Sequence, residues 1–139
     1  MPKSFLDTNI FVYTFDMAAP AKRATAQDLV AQALQERSGA ISYQVVQEFL
    51  NVATRKFTRP MPIREAEGYL EQVLMPLCEV FPGTSLYFQA LGVAASAKIA
   101  FYDALIVSAA LSAGCGILLS EDLQHGRRIK GLEVRNPFV

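Results

Sequence analysis

Four carboxylates in this 139-residue chain stand among apolar neighbours. Asp7 follows Phe5-Leu6, and Glu48 sits within Val45-Val46-Gln47-Glu48-Phe49-Leu50. Asp103 lies inside Ala100-Phe101-Tyr102-Asp103-Ala104-Leu105-Ile106, and Asp122 follows Ile117-Leu118-Leu119-Ser120-Glu121. An ionised carboxylate drawn away from water is costly unless something compensates it. Two such charges ~5 Å apart repel by ~3 kcal/mol at an effective dielectric of about 20. A divalent cation would relieve that repulsion, and an all-oxygen ligand set selects Mg²⁺ or Mn²⁺ over zinc, which recruits His or Cys.

Each acid also has an ordinary explanation. Asp7 and Asp103 suit helix N-caps, Asp122 suits the turn after a strand, and Glu48 suits a solvated helix face, although Val45, Phe49 and Val52 around it argue for a less open setting. The joint arrangement, four acids from four separate segments, is what points to chemistry.

The elements that must position them alternate along the chain. Ser4-Phe5-Leu6 reads as a strand ending at Asp7-Thr8-Asn9, three residues able to cap the helix that begins at Ile10. A helix from Ala21 closes at Ser38-Gly39, Ala40-Ile41-Ser42 is a minimal strand, and Val45 to Ala53 marks a helix running toward Arg55-Lys56. Pro60 and Pro62 break the chain before a helix from Ile63 to about Leu74. Cys78 to Phe81 is a strand, Ser85 to Ala97 and Tyr102 to Ala113 are helices, and Ile117 to Ser120 is a strand. This alternation predicts an α/β fold with a parallel sheet covered on both faces. Asp7 and Asp122 then fall just past the C-terminal ends of strands, the edge where open parallel sheets place their ligand crevices.

Composition limits the alternatives. With 52% hydrophobic residues, residues 1–139 make one domain with its own core. The 13 Lys and Arg cancel the 13 Asp and Glu, so no whole-molecule field draws the protein to nucleic acid or to a membrane. Cys78 and Cys115 form no CxxC pair, which argues against a zinc ribbon or a disulfide scaffold and for a reduced, cytoplasmic setting. Asp7 interrupts the N-terminal apolar stretch before a secretory signal forms, and the uncharged run Ala104 to Ser120 is too short and too interrupted to span a membrane.

Phe5-Leu6-Asp7-Thr8-Asn9, Ser42 through Glu48 to Lys56, Phe101-Tyr102-Asp103-Ala104-Leu105-Ile106 and Leu119-Ser120-Glu121-Asp122 together resemble the PIN-domain ribonucleases, and among them the VapC toxins of type II toxin-antitoxin pairs. The resemblance covers essentially the whole chain. It implies a three-layer α/β/α fold with a central parallel sheet and a Mg²⁺-dependent endoribonuclease whose four acids correspond to Asp7, Glu48, Asp103 and Asp122. Asp7, Asp103 and Asp122 would hold the metal, with Asn9 and Ser120 in support, and Ser120 stands where the family often has Thr. Glu121 beside Asp122 departs from the pattern; the acid two positions after the Ser or Thr is Asp122. The resemblance further implies RNA as substrate, an antitoxin of VapB type as partner, and a homodimer.

With a neutral total, RNA must be held by local cations. Arg127-Arg128 with Lys130 follow Asp122 closely enough to reach a phosphate, and Arg55-Lys56 with Arg59 form a second group, equally well explained as a helix end complementing its dipole. His125 reads as a turn residue, and Tyr43 and Tyr102 as core or rim packing rather than as base-stacking platforms. The stretch Met61 to Leu77, with Tyr69, Leu70, Val73 and Leu74, is either a partner surface or simple core packing. Three other functions compete with the toxin reading. A PIN nuclease of RNA processing would lack the antitoxin. A phosphatase or phosphotransferase using Asp7 as nucleophile would normally show a second Asp where this chain has Asn9. A binding module that keeps only the fold would not need four intact acids.

Overall fold

Short apolar strands alternate with longer helices in the computed structural model, which describes residues 3–139. In order these are β1 (Ser4–Leu6), α1 (Thr8–Tyr13), α2 (Pro20–Glu36), β2 (Gly39–Ser42), α3 (Tyr43–Arg55), α4 (Ile63–Tyr69), a π-helical segment (Leu70–Leu74), α5 (Met75–Leu77), β3 (Cys78–Val80), α6 (Thr84–Ala97), α7 (Phe101–Ser112), β4 (Ile117–Leu119), β5 (Arg128–Ile129) and β6 (Leu132–Arg135). The sheet runs β3-β2-β1-β4-β6-β5. Every neighbouring pair is parallel except β5 and β6.

The central strands are short and apolar because both their faces are covered. All four residues of β2 are buried, a pattern that only a strand sandwiched between layers can satisfy. Gly39 shows how tightly the layers meet: a Cβ there would fall 2.5 Å from the Ala33 Cβ of α2, so only a bare backbone lets that helix lie against β2. Helix α7 is buried continuously from Ala104 to Ala110. Helix α3 is amphipathic, with Val45, Val46, Phe49 and Ala53 in the core and Gln47, Glu48 and Asn51 outside. Among the described residues, no single helix is long and apolar enough to cross a membrane.

One feature differs from the sequence reading, and another decides between two alternatives it left open. The hairpin β5–β6 was not expected, so the sheet gains one antiparallel edge strand. Its turn is Lys130-Gly131, with φ of 49° and 86°, a two-residue loop of the kind that matches strand twist. Lysine holds a position where Asn or Asp is usual, and β5 has only two residues, so neither turn chemistry nor strand periodicity announces it. The stretch Met61 to Leu77 belongs to the core: Leu74 and Leu77 are buried, Tyr69, Leu70 and Val73 pack against them, and the Tyr69 ring stacks on Phe49 at 4.9 Å between centroids. The apolar side chains left exposed lie elsewhere, with Phe88 and Leu91 on α6 prominent among them.

Candidate active site

The parallel strands deliver their C-terminal ends to one edge. In the register, Leu6 of β1 lies beside Leu119 of β4, and the Asp7 amide donates to the Leu119 carbonyl at 3.0 Å. Asp7 and Ser120 therefore leave neighbouring strands side by side. The Ser120 hydroxyl is fully buried and donates to Asp7 Oδ2 at 2.7 Å, while Asp7 Oδ1 accepts from the Thr8 amide at 2.7 Å. Asp7 is thus the N-cap of α1 and a candidate site acid at once. The residue is 7% exposed. Burial pushes its carboxyl up to about 6; the hydrogen bonds from Ser120 and Thr8 oppose that rise, and the nearby charges of Asp122 and Glu48 add to it.

The remaining acids arrive from three other segments. Asp103 stands in the first turn of α7, whose N-cap is Ala100 with no side-chain capping bond, so Asp103 is not a helix cap. Partial burial raises its carboxyl above the usual range, with further upward contributions from Asp122 and Glu48. Asp122 is exposed; it accepts from Asn9 Nδ2 at 3.2 Å, and its amide donates to the Ser120 hydroxyl at 3.1 Å. Glu48 is also exposed, which corrects the expectation that its apolar neighbours would shelter it. Val45 and Phe49 are buried, while Glu48 lies on the exposed face with Gln47 and Asn51. Glu48 is nevertheless tied to the edge, because the Thr8 hydroxyl donates to its Oε1 at 2.6 Å.

The neighbouring acid, Glu121, is turned to a different task. Its carboxylate accepts from the Tyr13 hydroxyl at 2.6 Å and from Lys22 Nζ at 2.7 Å, and these partners hold it below the usual carboxylate range. Asp122 faces the other acids, whereas Glu121 binds α1 and α2 to the loop after β4. Asn9 links the two, donating to Asp122 and accepting from the Glu121 amide at 3.4 Å. The sequence reading missed Thr8 as a partner of Glu48 and Tyr13 as a partner of Glu121. The only signal for Thr8 was its place in the capping triplet.

The basic residues lie away from this edge. Arg128 pairs in register with Glu133, which lies level with Ile117 at the start of β4, and its guanidinium bonds the Glu133 carboxylate at 2.9 Å. It is at the opposite edge of the sheet, about 10 Å back along the strand direction from Asp7. Arg127 donates to the Ala97 carbonyl at the end of α6. Each guanidinium is thus bonded within the fold to a partner other than Asp122. Arg55 and Lys56 end α3, about 10 Å along the helix axis beyond Glu48, where they complement the dipole. His125 is a turn residue whose Nδ1 accepts from the Asn136 amide at 2.9 Å. Tyr43 and Tyr102 are exposed rather than core residues, with Tyr43 edge-on to Phe81.

The donor chemistry fits a hard divalent cation: the acids that perturb one another are all carboxylates, with no His or Cys among them. Among the described residues, no three such side chains already stand as close as a ligand set requires.

A PIN domain family model matches residues 4–130. No curated protein matches the chain. A toxin-antitoxin complex from Klebsiella pneumoniae contains a chain 20% identical to this one, with a TM-score of 0.66, covering 97% of this chain and 98% of that one. DNA-bound VapBC from Salmonella typhimurium aligns at 21% identity and a TM-score of 0.66 over 99% of both chains. FitAcB from Neisseria gonorrhoeae aligns at 18% identity and a TM-score of 0.62, over 97% of this chain and 98% of that one. Likeness at this identity is likeness of fold, and it agrees with the mostly parallel six-stranded sheet. Because the family model spans nearly the whole length, including every segment that carries an acid, the chain belongs to the PIN domain family.

Proposed function

We propose that this chain is a Mg²⁺-dependent endoribonuclease, Mn²⁺ being an alternative metal, and the toxin of a VapC-type toxin-antitoxin pair acting in the cytoplasm. The observation that carries the reading is the buried Asp7 carboxylate, bonded by Ser120 and Thr8 at the strand ends and surrounded by the fields of Asp122 and Glu48. A carboxylate held there without a cation is destabilised. Asp7, Asp103 and Asp122 are the residues that would hold the metal. The chemistry such a divalent cation would supply is Lewis-acid polarisation of a phosphodiester and activation of an attacking water. Ser120 fixes the Asp7 rotamer, Asn9 orients Asp122, and Thr8 orients Glu48 toward the same edge. The residue two positions after Asp7 is Asn9, where a phosphatase using Asp7 as nucleophile would normally carry a second Asp.

The partner proposals rest on fold and surface. Structures similar to this chain are described as toxin-antitoxin complexes, so a VapB-type antitoxin is the proposed inhibitor. A homodimer is proposed through α6, where Phe88 and Leu91 are 71% and 57% exposed. The experiment is incubation of the purified protein with a panel of single-stranded and structured RNAs, in Mg²⁺ or in excess EDTA, with mapping of the cut ends. Cleavage in Mg²⁺ that vanishes in EDTA and in Asp7→Asn is the expected result; undiminished cutting in EDTA overturns the reading.

A further inference from the structure

Beside the acids lies a groove of about 330 Å³, at the C-terminal ends of β2 and β3 and the start of α7. That volume is at the small end of ligand sites. Its walls carry Tyr43, Phe81, Tyr87 and Tyr102, all exposed, with Tyr102 68% exposed. No residue lining it is charged.

Two polar atoms in its lining residues lack partners. Ser42 occupies the N-cap of α3, where a serine hydroxyl would normally cap, yet it makes no capping bond; the residue is 3% exposed and its Oγ has no hydrogen bond. Gln44 Oε1 is likewise buried and unpartnered. The Gln44 amide nitrogen connects the groove to the acids: it donates to Glu48 Oε2 and to the Tyr102 carbonyl, both at 3.4 Å. Tyr102 immediately precedes Asp103.

We infer that this groove receives a single nucleobase of a single-stranded RNA, the nucleotide next to the phosphodiester presented to the acids. The inference rests on the proposed RNA cleavage and names the part of the substrate that the groove reads. A nucleobase is planar, neutral and rich in hydrogen-bonding edges. It stacks on exposed tyrosine rings without needing a charged partner. A phosphate would find no cation among the lining residues, whereas the four exposed aromatic side chains suit a planar base. Unpaired bases are also what a chain with no net positive charge can still grip, since stacking does not depend on net charge.

The test uses the full-length protein and a set of identical short RNAs in which one abasic nucleotide is moved along the sequence. With Mg²⁺, kcat/KM is expected to fall about 5- to 150-fold when the abasic nucleotide lies at one position beside the cut, and not elsewhere. Tyr43→Ala and Tyr102→Ala should lose a similar factor on intact RNA and little more on that abasic RNA, while Tyr102→Phe, which keeps the ring, should recover most of the factor that Tyr102→Ala loses. Fluorescence anisotropy in EDTA should show the same pattern in Kd, independently of cleavage.

If wild type cuts RNA but no abasic position matters, or both alanine variants act as wild type on every RNA, the groove does not hold a base and the nuclease reading stands alone. If the alanine variants bind and cut RNA normally but lose a toxin-neutralising protein, the groove belongs to that protein and the inference is overturned. If the protein neither cuts nor binds any RNA, the proposed function fails and takes this inference with it.

Discussion

The Ser120 hydroxyl donates to Asp7 Oδ2 at 2.7 Å while accepting from the Asp122 amide at 3.1 Å, so one buried side chain holds two of the four acids in place. The bond to Asp7 favours its ionised form against the cost of burial. Ser120→Ala should therefore raise the Asp7 titration further, by about one pH unit, given the strength of hydrogen bonds to charged groups. Ser120→Thr should keep the wild-type value. Carboxyl NMR of Asp7 in EDTA measures this, and an unmoved titration in Ser120→Ala would remove the hydroxyl from the site.

Burial of Asp7 makes stability depend on pH with a definite sign. Its carboxyl is raised from 3.8 to about 6 in the fold. A raised native value means that the penalty is absent below 3.8, grows as pH climbs through the interval, and is complete above about 6. The gap corresponds to an upper figure of about 3 kcal/mol. Metal-free Asp7→Asn should match wild type near pH 4 and exceed it at pH 7 by about 1 to 3 kcal/mol. Urea denaturation in EDTA at the two pH values decides this, and a mutant less stable than wild type at pH 7 would contradict it.

Asp103 is tested through metal binding. Saturating Mg²⁺ stabilises a protein that binds it only when folded, by about 2.7 kcal/mol at 100 times Kd. Wild type should gain stability on adding millimolar Mg²⁺, and Asp103→Asn should gain much less. Because its raised carboxyl makes the metal-free fold less stable, Asp103→Asn in EDTA should melt at or above the wild-type temperature. Equal Mg²⁺ responses in the two proteins would remove Asp103 from the ligand set.

Glu121 and Asp122 are adjacent and should behave differently. Glu121 is neutralised by Lys22 and bonded by Tyr13, whereas Asp122 faces Asp7 and Asp103. Asp122→Asn should lower the cleavage rate by about 100-fold or more. Glu121→Gln should leave the rate close to wild type and lower the melting temperature instead, because it weakens the tie between the loop after β4 and helices α1 and α2. The reverse pattern of rates would show that Glu121 is the site acid.

The alternation of short apolar runs with helical periodicity is written in the local sequence, and with it the α/β class and the position of Asp7 and Asp122 beyond strand ends. Local composition determines these features because burial on both faces demands apolar strands and because a turn after a strand favours Asp. What the acids do there depends on partners far away in sequence. Asp7 and Ser120 are 113 positions apart, and Thr8 and Glu48 are 40 apart; they meet only because β1 lies between β2 and β4 in the sheet. That strand order also separates Asp122 from Glu121, since the Lys22 that claims Glu121 comes from α2. The exposure of Glu48, the removal of Arg128 to the opposite edge by a two-residue strand, and the gathering of Tyr43 and Tyr102 at one groove were decided in the same way. Each depends on which surfaces face one another once the sheet is assembled, and no short stretch of sequence carries that relation.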